Sequence, residues 1–368
     1  MPGSIAKRDN GKWRARYRDD NGREHSRHFD RKVDAQRWLD EITTSVVRGS
    51  YVDPRADGVT FDEFYAEWSA RQIWVHRTRV SADNAVSTVQ FGHLPMSSIR
   101  RSHVETWVKA MTTTLAPTTI KTRYVIIRSV FRAAVLERVI SDDPSVGVTL
   151  PRRRRAEAAM SIPTPAQVGL LLEHAESRDI SIRVGFRTYV ALCAFAGLRL
   201  GEAAAVQVGD LDADQRQLSI SRQVQIEGTE SVVRGPKFGS ERVVFIPDEL
   251  VDILREHIAA QIGAGPRTDQ WLFSINGQVI ANNTVGYCWR TTRAAAGLDQ
   301  VRLHDLRHFY ASGLIAEGCD VVTVQRSLGH AAATTTLNTY GHLWPTAGDR
   351  TRAAASQLAK AALKPKSD

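Results

Sequence analysis

His304-Asp305-Leu306-Arg307-His308 reads as the opening of a helix, and it sets His304 and Arg307 three residues apart on one face. Further along come Leu328-Gly329-His330 and Leu337-Asn338-Thr339-Tyr340-Gly341-His342, so that His330 and Tyr340 stand ten residues apart across a helix-sized interval. Upstream, Ala196-Gly197-Leu198-Arg199-Leu200-Gly201-Glu202 places an arginine just past the end of an apolar helix, where glycines let the chain turn sharply. Each piece alone is unspecific. Their order and spacing together decide the reading.

Working outward, Thr164 and Pro165 make a helix start. Patterning then predicts helices near 165–175 and 182–197 and strands at 217–226, 230–234 and 242–246, with Lys237 in the turn Gly235-Pro236-Lys237-Phe238-Gly239. Further helices are predicted near 248–262, 282–296, 304–317, 320–328 and 332–341. Before this segment, Arg152, Arg153, Arg154 and Arg155 form the strongest charge run, readable as a solvated linker or as a strap along a phosphate backbone.

Residues 56–150 read as all helical. Thr60 with Glu63 and Ser102 with Glu105 have capping-box spacing, and a long helix runs from Pro117 until Asp142, Asp143 and Pro144 end it. The aromatic stripes there are core. Tyr51 to Gly58 reads as a linker. The first residues alternate like a hairpin, with Trp13, Ala15 and Tyr17 on one face and Arg14, Arg16 and Arg18 on the other. The second run puts His25, Arg27 and Phe29 together, and a helix bearing Ala35, Trp38, Leu39, Ile42 and Val46 follows. The arginine-studded face is either a solvated sheet surface or a DNA-binding one.

The chain has 368 residues, enough for two or three domains at about 150 residues each. With 42% hydrophobic and 24% charged residues it has the balance of a globular protein, not of a disordered or fibrous one. No stretch approaches the ~20 apolar residues that span a bilayer, and the first ten lack a signal-peptide core, which points to the cytoplasm. Cys193, Cys288 and Cys319 are too few and scattered for a disulfide framework and read as small buried thiols. The net charge of +9 is spread along the chain, +4 over 1–55, +2 over 56–150 and +3 over 151–368, as suits a protein lying along a polyanion through its whole length.

With Arg199, Lys237, His304, Arg307, His330 and Tyr340 in this order, the chain resembles the tyrosine recombinases of the phage integrase family, in particular lambda-like integrases with an arm-binding domain, including those of actinobacterial phages. The resemblance implies a multidomain protein: an α+β amino-terminal hairpin-plus-helix module (1–55) that binds arm-type DNA sites, an all-α domain (56–150) that binds core sites, a basic linker (151–159), a mixed α+β catalytic domain (160–345) and a carboxy-terminal helix and tail (346–368). It implies a homotetramer on double-stranded DNA, a host DNA-bending protein and a recombination directionality factor as partners, and no cofactor. Arg14, Arg16, Arg18, Arg27 and Arg152 to Arg155 are the candidate DNA contacts.

The chemistry asks for these residue types on its own terms. Displacement at a phosphodiester builds negative charge on the non-bridging oxygens, and two arginine forks can grip a phosphate bidentately while staying charged at any working pH. Arg199 and Arg307 are the clamp, His304 and His330 add hydrogen bonds, and Tyr340 is the nucleophile. A phenol with a pKa near 10 needs a proton acceptor, for which His304 is the candidate. By resemblance Lys237 is the general acid for the departing 5′ oxygen. Glu202 and Asp305 orient a histidine or arginine without reacting. The 3′-phosphotyrosine bond stores the energy of the broken one, so no ATP or metal is implied, and attack by another strand's 5′ hydroxyl completes the exchange.

Other readings are distinguishable. His304 and His308 at i, i+4 have metal-ligand spacing, but Asp305 follows His304, so the zinc-protease H-E-x-x-H is absent. A silent DNA-binding regulator has no need of the full constellation, and a type IB topoisomerase or a chromosome-dimer-resolving recombinase has no need of an arm module. In the family the terminal helix docks on a neighbouring subunit, and here Leu358, Ala362 and Leu363 give it an apolar side that could equally pack on its own domain.

Overall fold

Strand alternation and capping boxes place most of the elements. The structure is a computed structural model that describes residues 3–18, 22, 24–47, 58–152, 161–228, 230–236, 239–263, 265–344 and 347–363. The chain divides into two units, Met1–Ala158 and Ala159–Asp368.

The first unit holds two separate cores. Strands β1 (Ser4–Lys7), β2 (Trp13–Arg18) and β3 (Glu24–Phe29) form an antiparallel sheet in the order β1-β2-β3, and α1 (Lys32–Val47) packs on it. The expected hairpin therefore carries a third strand, which brings Ile5 against the buried Ala15, Tyr17, Ala35 and Leu39. Register fixes the face that Arg27 takes relative to β2. Arg27 stands opposite Ala15, on the face covered by α1, with its guanidinium 5.5 Å from the Phe29 ring centre. Among the described arginines of the sheet, Arg14, Arg16 and Arg18 share the outer face, where Arg14 and Arg16 pair with Glu24 at 2.9 and 3.5 Å and Arg16 donates to the Ser4 hydroxyl.

The second core is made by α2 (Phe61–Ala70), α3 (His76–Val86), α4 (Arg101–Met111) and α5 (Pro117–Leu136). The Thr60–Glu63 capping box starts α2, and Phe61, Trp107, Ile120, Ile127 and Phe131 are essentially inaccessible to water. The Ser102–Glu105 box does not form. Arg101 captures Glu105 in an ion pair four residues on, and the His103 ring instead accepts the Arg100 amide.

The second unit is built around α8 (Phe186–Phe195), preceded by α6 (Pro165–Glu173) and α7 (Asp179–Arg183) and followed by α9 (Leu200–Ala204). Nearly every face of α8 is buried, from Phe186 to Ala194, so truncating Leu192 to alanine would cost about 2–5 kcal/mol. The single helix expected over 182–197 breaks at Gly185, whose backbone is left-handed (φ 61°) and where a Cβ would meet the His257 ring at 2.1 Å. Strands β4 (Leu211–Asp212), β5 (Gln217–Ile220) and β8 (Arg242–Phe245) make one sheet, β6 (Gln223–Glu227) and β7 (Glu230–Arg234) a second, and β9 (Ser274–Ile275) and β10 (Gln278–Val279) a third. The strand expected over 217–226 is thus two strands in different sheets.

Helices α10 (Asp248–His257), α11 (Asn282–Ala295), α12 (Asp305–Ala316), α13 (Val321–Leu328), α14 (Ala333–Tyr340) and α15 (Ala347–Ala362) complete the unit. Cys193 and Cys288 are buried free thiols and Cys319 is half-buried. Among the described residues no helix is long and apolar enough to cross a membrane.

Candidate active site

The turn after α8 delivers Arg199. Gly197 sits in the left-handed region (φ 61°), where a Cβ would strike the Tyr310 ring, so the sharp exit from the helix needs glycine. Arg199 then caps α9, and Glu202 three residues on accepts both its backbone N–H (2.9 Å) and its guanidinium (2.6 Å). The Glu202 side chain is fully buried and is shared with Arg242 of β8, whose two terminal nitrogens lie 3.2 and 2.9 Å from its oxygens. Burial works against that carboxylate, but the hydrogen bonds and charge of Arg242, then of Arg199, outweigh it and hold its pKa below the ordinary value.

Arg307, on the first turn of α12, is 2% exposed and has no carboxylate partner among the described residues. Its nitrogens donate to the backbone carbonyls of Gly197 and Leu328. Arg199 in turn donates to the Gly329 carbonyl at 2.8 Å. The Leu328-Gly329-His330 motif thus has a physical meaning. Two successive carbonyls hold the two arginines, and the left-handed Gly329 ends α13 where a Cβ would press on the Arg242 guanidinium. Three guanidiniums around one carboxylate leave two positive charges uncompensated in a largely dry site. Burying unpaired charge is expensive, so this arrangement asks for an anion.

Tyr340 ends α14 and is 1% exposed. Its hydroxyl lies 2.7 Å from His308 Nδ1, one helical turn after His304. His304, at the start of α12, meets the His308 ring edge to face with centres 5.0 Å apart. No His304 hydrogen bond to the phenol is found, so in this state His308 takes the place expected of His304 beside the nucleophile. Burial pushes the Tyr340 phenol up to about 12, opposed by the Arg307 charge. Burial, then His304, pushes His308 down to about 4, while burial, then Arg307, does the same to His330. Partial burial and Arg307 also lower His304. His330 is held through Nδ1 by the Thr336 hydroxyl at 2.8 Å, which leaves Nε2 free.

These geometric features coincide with a match to the family model described as the phage integrase family, over residues 163–346, half of the chain. A second model, the phage integrase N-terminal domain, matches residues 1–48. The chain belongs to the phage integrase family. It is a site-specific recombinase of the tyrosine class. The prophage phiRv2 integrase of Mycobacterium tuberculosis is 25% identical over 374 residues, covering 98% of this chain and 96% of the relative. The integrase of Mycobacterium phage D29 is 23% identical, covering 83% and 82%. Among solved structures, the Tn1549 transposon integrase in complex with transposon right end DNA has a TM-score of 0.67 at 21% identity, over 82% of this chain and 100% of that one. A lambda integrase tetramer bound to a Holliday junction has a TM-score of 0.56 at 17% identity, over 91% and 97%. These likenesses establish the recombinase fold.

Within this recombinase the structure brings Arg199, Glu202, Arg307, His330 and Tyr340 to one site, with His304 at its edge. Lys237 lies outside the described residues, as do Arg153, Arg154, Arg155 and most of the linker over 51–58. Asp305 is buried but orients neither a histidine nor a clamp arginine; it accepts from the Arg302 backbone and guanidinium. His342 is exposed in the turn after Tyr340. Two residues escaped the sequence reading. Arg242 looks in sequence like a strand-end cation, and His308 like half of a metal pair; among the described residues no three potential ligands gather to hold a metal ion.

Proposed function

We propose that Tyr340 attacks a DNA phosphodiester seated on Arg199 and Arg307, forming a 3′-phosphotyrosine bond, and that attack by a 5′ hydroxyl of another strand resolves it to integrate and excise a phage or mobile element. The observation that carries this is a buried Arg307, held by backbone carbonyls and without a carboxylate partner among the described residues, with a buried phenol beside it. The excess positive charge of three guanidiniums around the single Glu202 carboxylate stabilises the trigonal-bipyramidal phosphate, whose charge grows as the phenol attacks. His330 donates from Nε2 to a non-bridging oxygen and His304 lies within reach of the same group. Glu202 fixes Arg199, and Arg242 anchors Glu202. Lys237 protonates the departing 5′ oxygen; in sequence it falls between β7 and β8, shortly before Ser240, which accepts from Arg199 at 3.3 Å.

The partner is double-stranded DNA and the working form is a homotetramer on it, acting in the host cytoplasm with a DNA-bending protein and a directionality factor. Every described side chain of α15 is exposed, Leu358 at 72% among them, so the apolar side of that helix is free for a neighbouring subunit. In the helical domain a groove between α3 and α5 carries Arg77, Asn84, Thr119 and Arg123, donors suited to a DNA backbone and base edges. The sheet face of Arg14, Arg16 and Arg18 binds the arm sites, with Arg27 contributing from the other side, and Arg152 to Arg155 follow the backbone between domains.

The test is Tyr340→Phe. DNA binding should stay nearly intact, because every cation remains, while covalent protein–DNA adducts disappear. Adducts formed by the variant would overturn the assignment.

A further inference from the structure

Of the titratable groups around the site, His308 has no role in the reading above, yet among the described residues it alone is hydrogen-bonded to the attacking oxygen. Its Nδ1 lies 2.7 Å from the Tyr340 hydroxyl, inside the range in which a general base takes a proton directly. The two rings are held for this. Their centres are 5.6 Å apart at 65°, an edge-on approach, and the His304 ring closes the other side at 5.0 Å. The helix holding His308 is the one that holds Arg307, so acceptor and clamp move as one body.

We infer that His308 is a further catalytic residue, the group that receives the phenolic proton of Tyr340 as it attacks and returns it when the strand is rejoined. This rests on Tyr340 being the nucleophile. In the neutral tautomer with hydrogen on Nε2, Nδ1 accepts from the phenol. As the phenolic oxygen bonds to phosphorus its hydrogen passes to Nδ1; the bond from phosphorus to the 5′ oxygen breaks, and that oxygen takes its proton from Lys237. On rejoining, the incoming 5′ hydroxyl gives its proton to Lys237, the phosphotyrosine bond breaks, and the imidazolium gives its proton back to the phenolate. No proton is gained or lost over the cycle.

The surroundings make the transfer wait for DNA. The groups facing His308 are His304, Asp305, Arg302 and Arg307 from its own helix and the segment before it, and Tyr340 from α14. Burial and His304 keep it neutral, with the Arg302 and Arg307 charges adding to the effect and only Asp305 opposing them. A phosphodiester on Arg307 and Arg199 cancels part of that positive field, so imidazolium becomes acceptable only once substrate is bound. The empty site therefore keeps Tyr340 protonated and unreactive.

The experiment uses the full-length chain and, as probe, a nicked duplex carrying the junction sequence that flanks the element encoding it, so that cleavage is read as a first-order rate of adduct formation. His308→Asn puts an amide oxygen near the Nδ1 position, keeping the hydrogen bond without the ability to take a proton. The expected result is a loss of about 10²–10⁴-fold in cleavage with unchanged DNA binding, and a rate that keeps climbing with pH where the wild type levels off. Wild-type cleavage at its natural pH profile and His308→Asn cleavage at the same rate would overturn the inference and leave His308 a positioning residue. If the variant fails to fold, His308→Gln, which also offers an amide oxygen and takes no proton, decides in its place: cleavage at the wild-type rate excludes an imidazole acceptor. Adducts persisting in Tyr340→Phe would instead condemn the nucleophile assignment, so the two failures are separable.

Discussion

Glu202 in the recombinase site and Glu24 on the amino-terminal sheet each stand among three arginines, and the two clusters behave oppositely. Around Glu202, which is fully buried, Arg199 and Arg242 are fixed by the carboxylate and by backbone carbonyls, and Arg307 by carbonyls alone. Around Glu24, Arg14, Arg16 and Arg18 converge at 2.9, 3.5 and 4.0 Å, but their side chains are 31%, 52% and 65% exposed. Water screens the second cluster and scarcely reaches the first. The same two side-chain types in the same proportion therefore give a preorganised anion site in one place and an adaptable, salt-sensitive surface in the other.

That difference is broken most severely at Arg307. Arg307→Lys keeps one charge but loses the fork that serves two carbonyls and a phosphate together. Cleavage should fall by about 10²–10³-fold or more, the loss expected for a preorganised donor, with stability lowered by about 1–3 kcal/mol from a carbonyl left unpaired. Arg199→Lys should lose cleavage comparably but less stability, since its side chain is 25% exposed. Single-turnover cleavage and thermal unfolding of each variant separate the two effects. Wild-type cleavage in both would end the clamp reading.

A second, smaller contrast is with pH. His308 and His330 have folded-state pKa values near 4, below the ordinary histidine value of 6.5, so between those limits the unfolded chain binds more protons than the folded one. Stability from keeping them neutral is therefore complete above about pH 6.5 and drains away as pH falls toward about 4. The depressed Glu202 acts in the same sense at still lower pH. The unfolding midpoint should drop from about pH 7 to about pH 5, and His330→Gln should shrink that drop. A midpoint that rises on acidification would mean these imidazoles are charged in the folded protein.

The same contrast separates what was legible in the sequence from what was not. Motifs that serve local backbone needs could be read directly: the Thr60–Glu63 box, the Thr164–Pro165 start, and the end of α13 before Gly329. Arg199, Arg307, His330 and Tyr340 were legible because their spacing is set by short helices whose ends all meet at one point. Elements with little apolar signal were not. Helix α3 buries only Ala82 and Ala85, and β1 offers one inward apolar residue, Ile5. Arg242 and His308 were invisible for another reason. Their partners, Glu202 and Tyr340, are 40 and 32 residues away, and no local pattern announces a contact of that kind. Which face of β2 Arg27 shares turns on the register of β2 with β3, which the alternation of two polar strands leaves open until the pairing is seen.

The smallest expected effect belongs to the exposed cluster and tests whether its carboxylate has a purpose. Ion pairs this exposed are worth about 0–1 kcal/mol to the fold, so Glu24→Gln should leave stability nearly unchanged. It should change DNA binding instead, because Glu24 cancels one of three cations on the face proposed to lie against the arm sites. With that charge removed, affinity for duplex DNA should rise several-fold at low salt, and the slope of log affinity against log salt should steepen by about 0.9 for one added phosphate contact. By about 0.5 M salt the gain should vanish, as a screened surface effect must. No substitution at Glu202 can behave this way, since its arginines depend on it for position. Should Glu24→Gln weaken binding to specific arm sequences while leaving random duplex untouched, the carboxylate is an acceptor for a cytosine amino group, and the exposed cluster reads bases as well as backbone.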